Sequence, residues 1–266
     1  MQHVYLQKDM REPELLPFAG GEVAVLSSRC PGKESPNEDG AAILPVDDEG
    51  GLLAVADGMG GGRVGEAAAR IAIESLSREL RRENDDSVRE TVLSALENAN
   101  RRVLDLGVGA GTTLAMAEIV NGKIRPYHVG DAHLLLVGQR GKVKKLTLAH
   151  APVAYAVESG LLDEQEAMHH DDRHIVSNIV GQTDMHIEMG TPIRFTKRDT
   201  LVLATDGVFD NLSVDEIVDL VRKGSLRTCV SELFALCQQR MGGSVATAPS
   251  KPDDATMLVF RPTASR

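Results

Sequence analysis

Two amphipathic helices follow each other directly near the start of the chain, and this succession limits the possible folds more than any other feature. A short apolar strand ends at Asp57 and passes through a glycine-rich turn. From Arg63 onward, apolar residues recur at helical spacing. After the acidic break RENDDS, Ser87 is placed to cap a second helix. No strand separates the two helices, so the βαβ unit of a parallel sheet does not close here.

The remaining strands are arranged as hairpins. GAAILPV and LLAVAD are separated by the turn DDEGG, and Asn121-Gly122 joins TTLAMAEIV to KIRPYHVGD, which is a strong hairpin signal. SVDE at 213–216 is a capping box that begins a third helix, and a fourth helix is predicted over 226–240. Further strands are predicted for GEVAVLSS, AHLLLVG, VKKLTL, IEMGTPIRF, DTLVLATD and DATMLVFRP.

Strands and helices are therefore segregated, which favours an α+β fold over an alternating α/β fold. The expected architecture is a four-layer αββα sandwich, with two stacked antiparallel β-sheets flanked by pairs of helices. Residues 1–20 are predicted to be a loose N-terminal arm, and residues 21–266 a single domain. GGSVATAPSKP predicts a flexible linker near 241–252.

Charge and cysteine content exclude several classes of protein. The chain has 39 acidic residues against 29 Lys and Arg, a formal net charge of -10, which argues against a broad nucleic-acid surface or an anionic membrane partner. Three cysteines without a CxxC pair indicate reduced thiols. The charged, proline-interrupted N-terminus does not resemble a signal peptide, and no apolar run reaches membrane-spanning length. A cytoplasmic location is expected.

The glycines after Asp57 suggest a phosphate cradle, but the surrounding elements do not. Gly60, Gly62 and Gly65 satisfy the spacing G-x-G-x-x-G of a dinucleotide site. That site also needs a second parallel strand after the helix, carrying an acid for the ribose. A second helix stands there instead. No Gly-Lys-Ser/Thr of a Walker loop is present, so nucleotide binding is disfavoured.

Bare aspartates recur beside the predicted strands and suggest a metal site. They lie before or after apolar runs at widely separated points: Asp39, Asp57, Asp131, Asp206 and Asp253. Any single one of them is explained equally well as a turn residue, since Asp-Gly is favoured in turns. If the strand ends converge, however, the carboxylates would repel one another unless cations neutralised them. Mg²⁺ and Mn²⁺ prefer such oxygen ligands.

At these positions the chain resembles the metal-dependent serine/threonine protein phosphatases of type 2C. The resemblance is carried, in order, by NEDG, VADGMGGGRVGEAA, GTTLAMA, VGDAHLLLV, LTLAH, SNIVG, LATDGVFDNL and DDAT. It implies the same four-layer fold. It also implies hydrolysis of phosphoserine and phosphothreonine in proteins, by a water activated between two Mn²⁺ or Mg²⁺ ions. A phosphorylated protein substrate and a cognate serine/threonine kinase system are the implied partners.

The resemblance also assigns roles to individual residues. Asp57 matches the ligand that bridges the two metals, and the Gly58 carbonyl matches a backbone ligand. Asp206 and Asp253 match ligands of the other ion. The remaining matches are the acidic pair Glu38 and Asp39, acting partly through metal-bound water, and Asp131, which matches the ligand of a third, weaker metal.

Three positions depart from the family pattern. Glu34 stands where the family usually has an arginine that clamps the substrate phosphate, so Arg29 or Lys33 is the candidate substitute, although lysine lacks arginine's planar fork. Asp254 replaces a common asparagine. Met59 stands where animal members carry a histidine, which leaves the general acid unassigned. Two alternatives follow: a pseudophosphatase that serves as a regulatory binding module, and a phosphatase of a small phosphorylated metabolite.

Other residues of catalytic type have simpler interpretations. HHDDRH at 169–174 has side chains suited to zinc, but adjacent histidines point apart on most backbones, so a solvated segment is the better interpretation. In the family, residues 151–180 are a variable flap, and His150 is expected to pack beside it. The cysteines carry no cysteine-phosphatase signature.

Overall fold

The computed structural model describes residues 1–82, 87–243 and 250–263. The strands within this range are β1 (His3–Leu6), β2 (Glu14–Phe18), β3 (Gly21–Ser28), β4 (Gly40–Pro45), β5 (Gly51–Met59), β6 (Gly111–Val120), β7 (Lys123–Val129), β8 (His133–Gly138), β9 (Val143–Leu146), β10 (Glu188–Met189), β11 (Ile193–Arg194), β12 (Asp199–Ala204) and β13 (Ala255–Pro262). The α-helices are α1 (Arg63–Glu79), α2 (Val88–Leu104), α3 (Pro152–Glu158), α4 (Glu164–Met168), α5 (Asp206–Phe209), α6 (Val214–Val221) and α7 (Leu226–Met241).

Over the described residues the strands form two antiparallel sheets. The first has the order β1-β4-β5-β6-β7-β10, with β11 also pairing with β7. The second has the order β2-β3-β13-β12-β8-β9. Helices α1 and α2 pack on the outer face of the first sheet, and α6 and α7 on the outer face of the second. The predicted α+β, four-layer αββα sandwich is confirmed.

Alternation along the strands explains how each sheet has two apolar faces. In β3, Val23 and Val25 face the space between the sheets, whereas Ala24 and Leu26 face the helices of the second outer layer. All four side chains are fully buried. Because successive strand side chains point to opposite faces, a strand that is apolar at every position is covered on both sides.

The helix boundaries follow the caps that the sequence predicts. The Ser87 hydroxyl accepts from the Glu90 N–H at 3.3 Å, while the Glu90 carboxylate accepts from the Ser87 N–H at 2.9 Å. Ser213 and Glu216 form the same reciprocal box at the start of α6. Each box satisfies two N–H groups that the helix itself leaves unpaired. No helix within the described range is long and apolar enough to cross a lipid bilayer.

The structure corrects the expectation of a loose N-terminal arm. Residues 3–6 form β1, which pairs with β4 in the first sheet, and residues 14–18 form β2, which pairs with β3 in the second. The expected strand IEMGTPIRF is also wrong in extent, because only residues 188–189 and 193–194 pair with β7. The acidic break at 83–86, and residues 244–249 of the expected linker, lie outside the described residues.

Candidate metal centre

Asp57 and Gly58 lie at the end of β5, where three segments meet at close range. A Cβ atom on Gly58 would lie 2.2 Å from the Gly65 carbonyl oxygen and 2.7 Å from the Glu38 carbonyl oxygen. A Cβ on Gly65 would lie 2.6 Å from Glu38 Oε1. Only glycine permits this contact. The glycines after Asp57 therefore bring the first turn of α1 and the Glu38 loop against the end of the strand.

A buried carboxylate organises the loop that carries Glu38. Asp254 is only 3% exposed. Its Oδ1 accepts from the Cys30 N–H at 2.8 Å, and its Oδ2 accepts from the Glu38 N–H at 2.8 Å and from Lys33 Nζ at 2.6 Å. Two of these three bonds come from backbone N–H groups, and a third comes from a cation. The aspartate that stands in place of the family's asparagine thus fixes both ends of residues 30–38.

Asp206 and Asp253 reach the same region from the second sheet. Asp206 begins α5 directly after β12, and Asp253 lies two residues before β13, the neighbour of β12 in the sheet. A Cβ on Gly207 would lie 1.9 Å from the Asp254 carbonyl oxygen, so the two segments touch through their backbones. Thr205 links this sheet to the first by donating to Asp39 Oδ2 at 2.9 Å.

Burial and neighbouring negative charges raise the pKa values of four aspartates in this centre. Burial, followed by the charges of Asp206, Asp39, Asp253 and Asp131, raises the pKa of Asp57 well above its usual range. Burial and the neighbouring aspartates likewise raise the pKa of Asp131 to about 8 and that of Asp253 to about 7, and the pKa of Asp39 also rises. The structure therefore brings Asp39, Asp57, Asp131, Asp206 and Asp253 together, as the convergence of strand ends requires.

Two carboxylate oxygens in this cluster also lack protein donors. Glu38 Oε1 and Asp131 Oδ1 are buried and accept no hydrogen bond from the described part of the protein. A buried acceptor without a partner is costly, and a buried group of like charges is costlier still. Divalent cations would satisfy both deficits, because hard oxygen donors are the ligands that Mg²⁺ and Mn²⁺ prefer. The carboxylates of this centre therefore suit the binding of Mg²⁺ or Mn²⁺.

Sequence analysis missed a lysine and an aspartate in this centre. Lys251 Nζ contacts Asp206 Oδ2 and lies 2.8 Å from Asp210 Oδ2 and 3.5 Å from Asp253 Oδ2. Its backbone is fixed by Asn211, which both donates to the Lys251 carbonyl and accepts from its N–H. Asp210 carried a visible signal, since it follows Asp206 by four residues in a helical segment. Lys251 carried none, because it lies within a sequence typical of a linker.

Arg29 and Lys33, the candidate phosphate ligands, occupy different surroundings. Lys33 Nζ lies between Glu38 Oε2 and Asp254 Oδ2, at 2.7 and 2.6 Å. Although burial opposes it, bonding to these two acids raises the lysine's pKa. The Arg29 guanidinium instead donates to the Glu34 carbonyl at 3.2 Å and lies 3.5 Å from Asp9 Oδ2. Lys33 is thus the candidate that borders the acidic cluster.

The histidines of HHDDRH do not form a cluster of metal ligands. His170 caps a short 3₁₀ helix over Asp171–His174, and His174 is exposed. The group that could hold an ion, among the described residues outside the acidic centre, is His128, His150 and Glu188. As expected, His150 packs beside the flap: its carbonyl accepts from Ser177 N–H and Oγ, both at 2.8 Å.

Comparison with known proteins gives a consistent result. The family model described as protein phosphatase 2C matches residues 28–241. A putative protein phosphatase 2C-type of Streptococcus pyogenes is 32% identical over 222 residues, covering 79% of this chain and 89% of that protein. Among solved structures, the serine/threonine phosphatase of S. agalactiae is 27% identical with a TM-score of 0.78, covering 91% and 99% of the two chains.

A further structure with the same fold contains metal. The catalytic domain of the serine/threonine protein phosphatase PstP, in complex with two manganese ions, superposes with a TM-score of 0.74 at 23% identity, covering 91% of this chain and 98% of that one. At this identity the likeness concerns the fold alone. The family model, the S. pyogenes relative and the convergent acids together lead to one conclusion: this chain belongs to the protein phosphatase 2C family.

Proposed function

We propose that this protein is a metal-dependent phosphatase that hydrolyses phosphoserine and phosphothreonine in proteins. The observation that carries the proposal is the convergence of five aspartates from both sheets on one centre, in a chain of the protein phosphatase 2C family. One relative is named protein phosphatase PhpP and another serine/threonine phosphatase stp. The pseudophosphatase alternative is not favoured, since each predicted acidic ligand is present in the sequence.

The proposed ligands divide between two cations. Asp57 would bridge them, the Gly58 carbonyl would complete one side, and Asp206 and Asp253 would bind the other ion. Glu38 and Asp39 would act partly through water, and Asp131 would hold a third, weaker cation. Support comes from the raised pKa values of Asp57 and Asp131 and from the unpartnered oxygens Glu38 Oε1 and Asp131 Oδ1. Mn²⁺ and Mg²⁺ both suit this oxygen donor set.

When bound, such ions supply a water that ionises near neutral pH and positive charge for the phosphoryl oxygens. The chain's own residues hold the surroundings of that chemistry in place. Thr205 fixes the orientation of Asp39, and Asp254 fixes the Glu38 loop through two backbone N–H groups. Preorganised groups of this kind stabilise developing charge without reorganising during the reaction.

Solvent is the proposed proton donor for the leaving group. Met59 ends β5 and carries no titratable proton, so a water molecule protonates the departing serine or threonine oxygen. A thiol nucleophile is unsuited to this site, because burial and the charges of Asp253 and Asp254 raise the pKa of Cys30, the cysteine beside the centre, while Cys229 and Cys237 are buried. The reaction therefore needs no covalent phosphoenzyme.

We further propose that the substrates are phosphoproteins of a cytoplasmic serine/threonine kinase system. The support is the acidic composition, with a formal net charge of -10, which disfavours nucleic-acid and anionic membrane partners. The relative turnover of peptides and small esters distinguishes protein substrates from a small phosphorylated metabolite. A preference for phosphothreonine peptides over para-nitrophenyl phosphate would support protein substrates.

The test is hydrolysis of a phosphothreonine peptide with Mn²⁺, with EDTA, and by two variants. EDTA should abolish turnover. Asp57→Asn and Asp206→Asn should each lower kcat/KM at least about 100-fold, since even outer-sphere partners of metal ligands contribute 10- to 100-fold. Asp215→Asn, which removes an exposed acid on α6, serves as the matched control and should leave activity unchanged. Metal-independent turnover, or full activity of both variants, would refute the proposal.

A further inference from the structure

A second cluster of titratable side chains lies at the base of the flap, outside the acidic centre. His128, His150 and Glu188 each offer an atom that could bind a metal, and these atoms lie within 4.8 Å of one another. The ring centroids of His128 and His150 lie 4.4 Å apart in a stacked arrangement, and the ring of His186 lies 4.8 Å from that of His150. Residue types and distances alone would suggest a transition-metal site.

The hydrogen bonds of His150 exclude a metal on its free nitrogen. His150 Nδ1 accepts from the Gly130 N–H at 3.1 Å, and a backbone N–H can only donate. Asn178 Nδ2 also donates to this nitrogen at 2.8 Å. The orientation of that amide is fixed, because its Oδ1 accepts from the His186 N–H and its Nδ2 donates to the His186 carbonyl. The proton of neutral His150 therefore resides on Nε2, which faces Glu188 Oε2 at 3.4 Å.

His128 is constrained in the same way. Its Nε2 lies 2.8 Å from the Leu148 carbonyl oxygen, which can only accept, so this nitrogen carries the proton. Metals bind the unprotonated nitrogen of a neutral imidazole. Burial lowers the pKa of both rings, so each is neutral at physiological pH. Both nitrogens that face Glu188 are thus hydrogen-bond donors, and neither is free to bind a metal ion.

The contacts of His150 connect two functional segments. Its N–H donates to the Gly130 carbonyl at 2.9 Å while its Nδ1 accepts from the Gly130 N–H, so His150 holds the backbone of Gly130 at both polar groups. Gly130 precedes Asp131, has φ +92°, and a Cβ there would lie 2.6 Å from Thr113 Cγ2. The turn before Asp131 is therefore pressed against the strand β6.

His150 also holds the C-terminal end of the flap. Its carbonyl accepts two bonds from Ser177, and its Nδ1 accepts from Asn178. Two residues further, Val180 forms a backbone bridge with Thr112, whose hydroxyl donates to the Asp57 carbonyl at 2.7 Å. One imidazole nitrogen thus receives a donor from the Asp131 turn and a donor from the flap.

From these contacts we infer that His150 is a positioning residue that sets the flap relative to Asp131 through the two bonds accepted by Nδ1. The inference rests on the proposed phosphatase function. Because Val180 at the end of the flap pairs with Thr112 beside Asp57, the flap borders the acidic centre, and loss of these bonds should affect phosphopeptides, which extend beyond the phosphate, more than small esters. It should also weaken the cation proposed for Asp131, while the ions between Asp57, Asp206 and Asp253 remain bound.

A pair of variants separates this role from simple packing. His150→Asn keeps an amide oxygen near the position of Nδ1 and can accept the same two donors. His150→Gln places its amide near Nε2 and leaves both donors without an acceptor. For Gln, kcat/KM on a phosphothreonine peptide should fall about tenfold or more, with little change on para-nitrophenyl phosphate, whereas Asn should restore most of the loss. Mn²⁺ titration followed by electron paramagnetic resonance should show weaker binding at the weakest site for Gln only.

Each other outcome overturns the inference. Equal behaviour of Asn and Gln would show that Nδ1 is not the relevant atom. If kcat/KM falls equally on the peptide and on the small ester, together with a lower melting temperature, His150 has only a structural role. If His150→Gln does not fold, Asn178→Ala takes its place: it removes the flap donor and keeps the bond from the Gly130 N–H, so kcat/KM on the phosphopeptide should fall while Mn²⁺ binding at the weakest site stays unchanged. If the wild type hydrolyses neither compound, the proposed function fails, and the Mn²⁺ titration still decides the positioning role.

Discussion

Lys251 should weaken the binding of divalent cations, and removing its charge should strengthen it. Its ammonium contacts Asp206 and lies 3.5 Å from Asp253, the two carboxylates proposed to share one ion. An ammonium and a divalent cation cannot occupy the space between the same two oxygens. Loading of the site must therefore displace Lys251, whose backbone stays fixed by Asn211. Asp210, 2.8 Å away, is the carboxylate to which the ammonium can withdraw.

The size of the effect follows from Coulomb's law. Two unit charges about 4 Å apart interact with about 1 kcal/mol at the dielectric constant of water, so an ammonium and a divalent ion repel by about 2 kcal/mol. That energy corresponds to about 30-fold in affinity. Partial burial of the site increases the repulsion, whereas withdrawal toward Asp210 decreases it. Lys251→Met should accordingly bind Mn²⁺ at least about tenfold more tightly.

Isothermal titration calorimetry of the metal-free protein with Mn²⁺ measures this directly, without reference to turnover. Lys144→Met provides a matched control, because Lys144 Nζ pairs with the buried Asp199 at 2.6 Å, away from the acidic centre. That variant should bind Mn²⁺ as the wild type does. Unchanged or weaker binding by Lys251→Met, with Lys144→Met equal to the wild type, would refute the competition between lysine and metal.

Three further predictions follow from the same centre. Asp131 has a pKa of about 8, so in EDTA it keeps a proton in the folded state that it loses in the unfolded chain, and the melting temperature should fall as the pH rises from about 5 to about 8. Saturating Mn²⁺ or Asp131→Asn should reduce this dependence on pH. A melting temperature of the wild type in EDTA that does not change with pH would contradict the prediction. Asp254→Asn should lower the free energy of unfolding by about 2–4 kcal/mol in urea denaturation, because it disrupts a buried pair with Lys33, and a double-mutant cycle with Lys33→Met should show a coupling energy clearly above zero. Gly207→Ala should reduce both the melting temperature and the affinity for Mn²⁺, because the added Cβ would lie 1.9 Å from the Asp254 carbonyl oxygen. In the control Gly138→Ala, the atom nearest to the added Cβ is 3.6 Å away, and neither quantity should change.

The layer architecture could be predicted because its signals are local. The Asn121-Gly122 turn, the capping boxes and the apolar stripes of α1 and α2 each depend on residues close in sequence. The two helices in succession then excluded a parallel sheet. The strands β1 and β2 could not be found in this way, because four and five residues give too little alternation to distinguish a strand from a loop.

The acids of the centre could be predicted as a set, but their immediate partners could not. Each aspartate stands beside an apolar run, which suggested convergence before any contact was known. The three donors on Asp254 and the position of Lys251 depend on segments more than 200 and about 40 residues apart in sequence, respectively. No local pattern encodes such contacts. The twofold role of His150 was likewise hidden, since only the direction of its hydrogen bonds distinguishes a support from a metal ligand.

The position of β13 has a consequence for how the protein is made. This strand follows all the others in chain order, yet it lies inside the second sheet, between β3 and β12. During synthesis on the ribosome, more than 200 residues are added after β3 before β13, one of its two neighbours in the sheet, is made. Asp253 emerges in the same late step. A nascent chain therefore lacks both a complete second sheet and a complete set of acids, so hydrolysis begins only after the strand has left the exit tunnel.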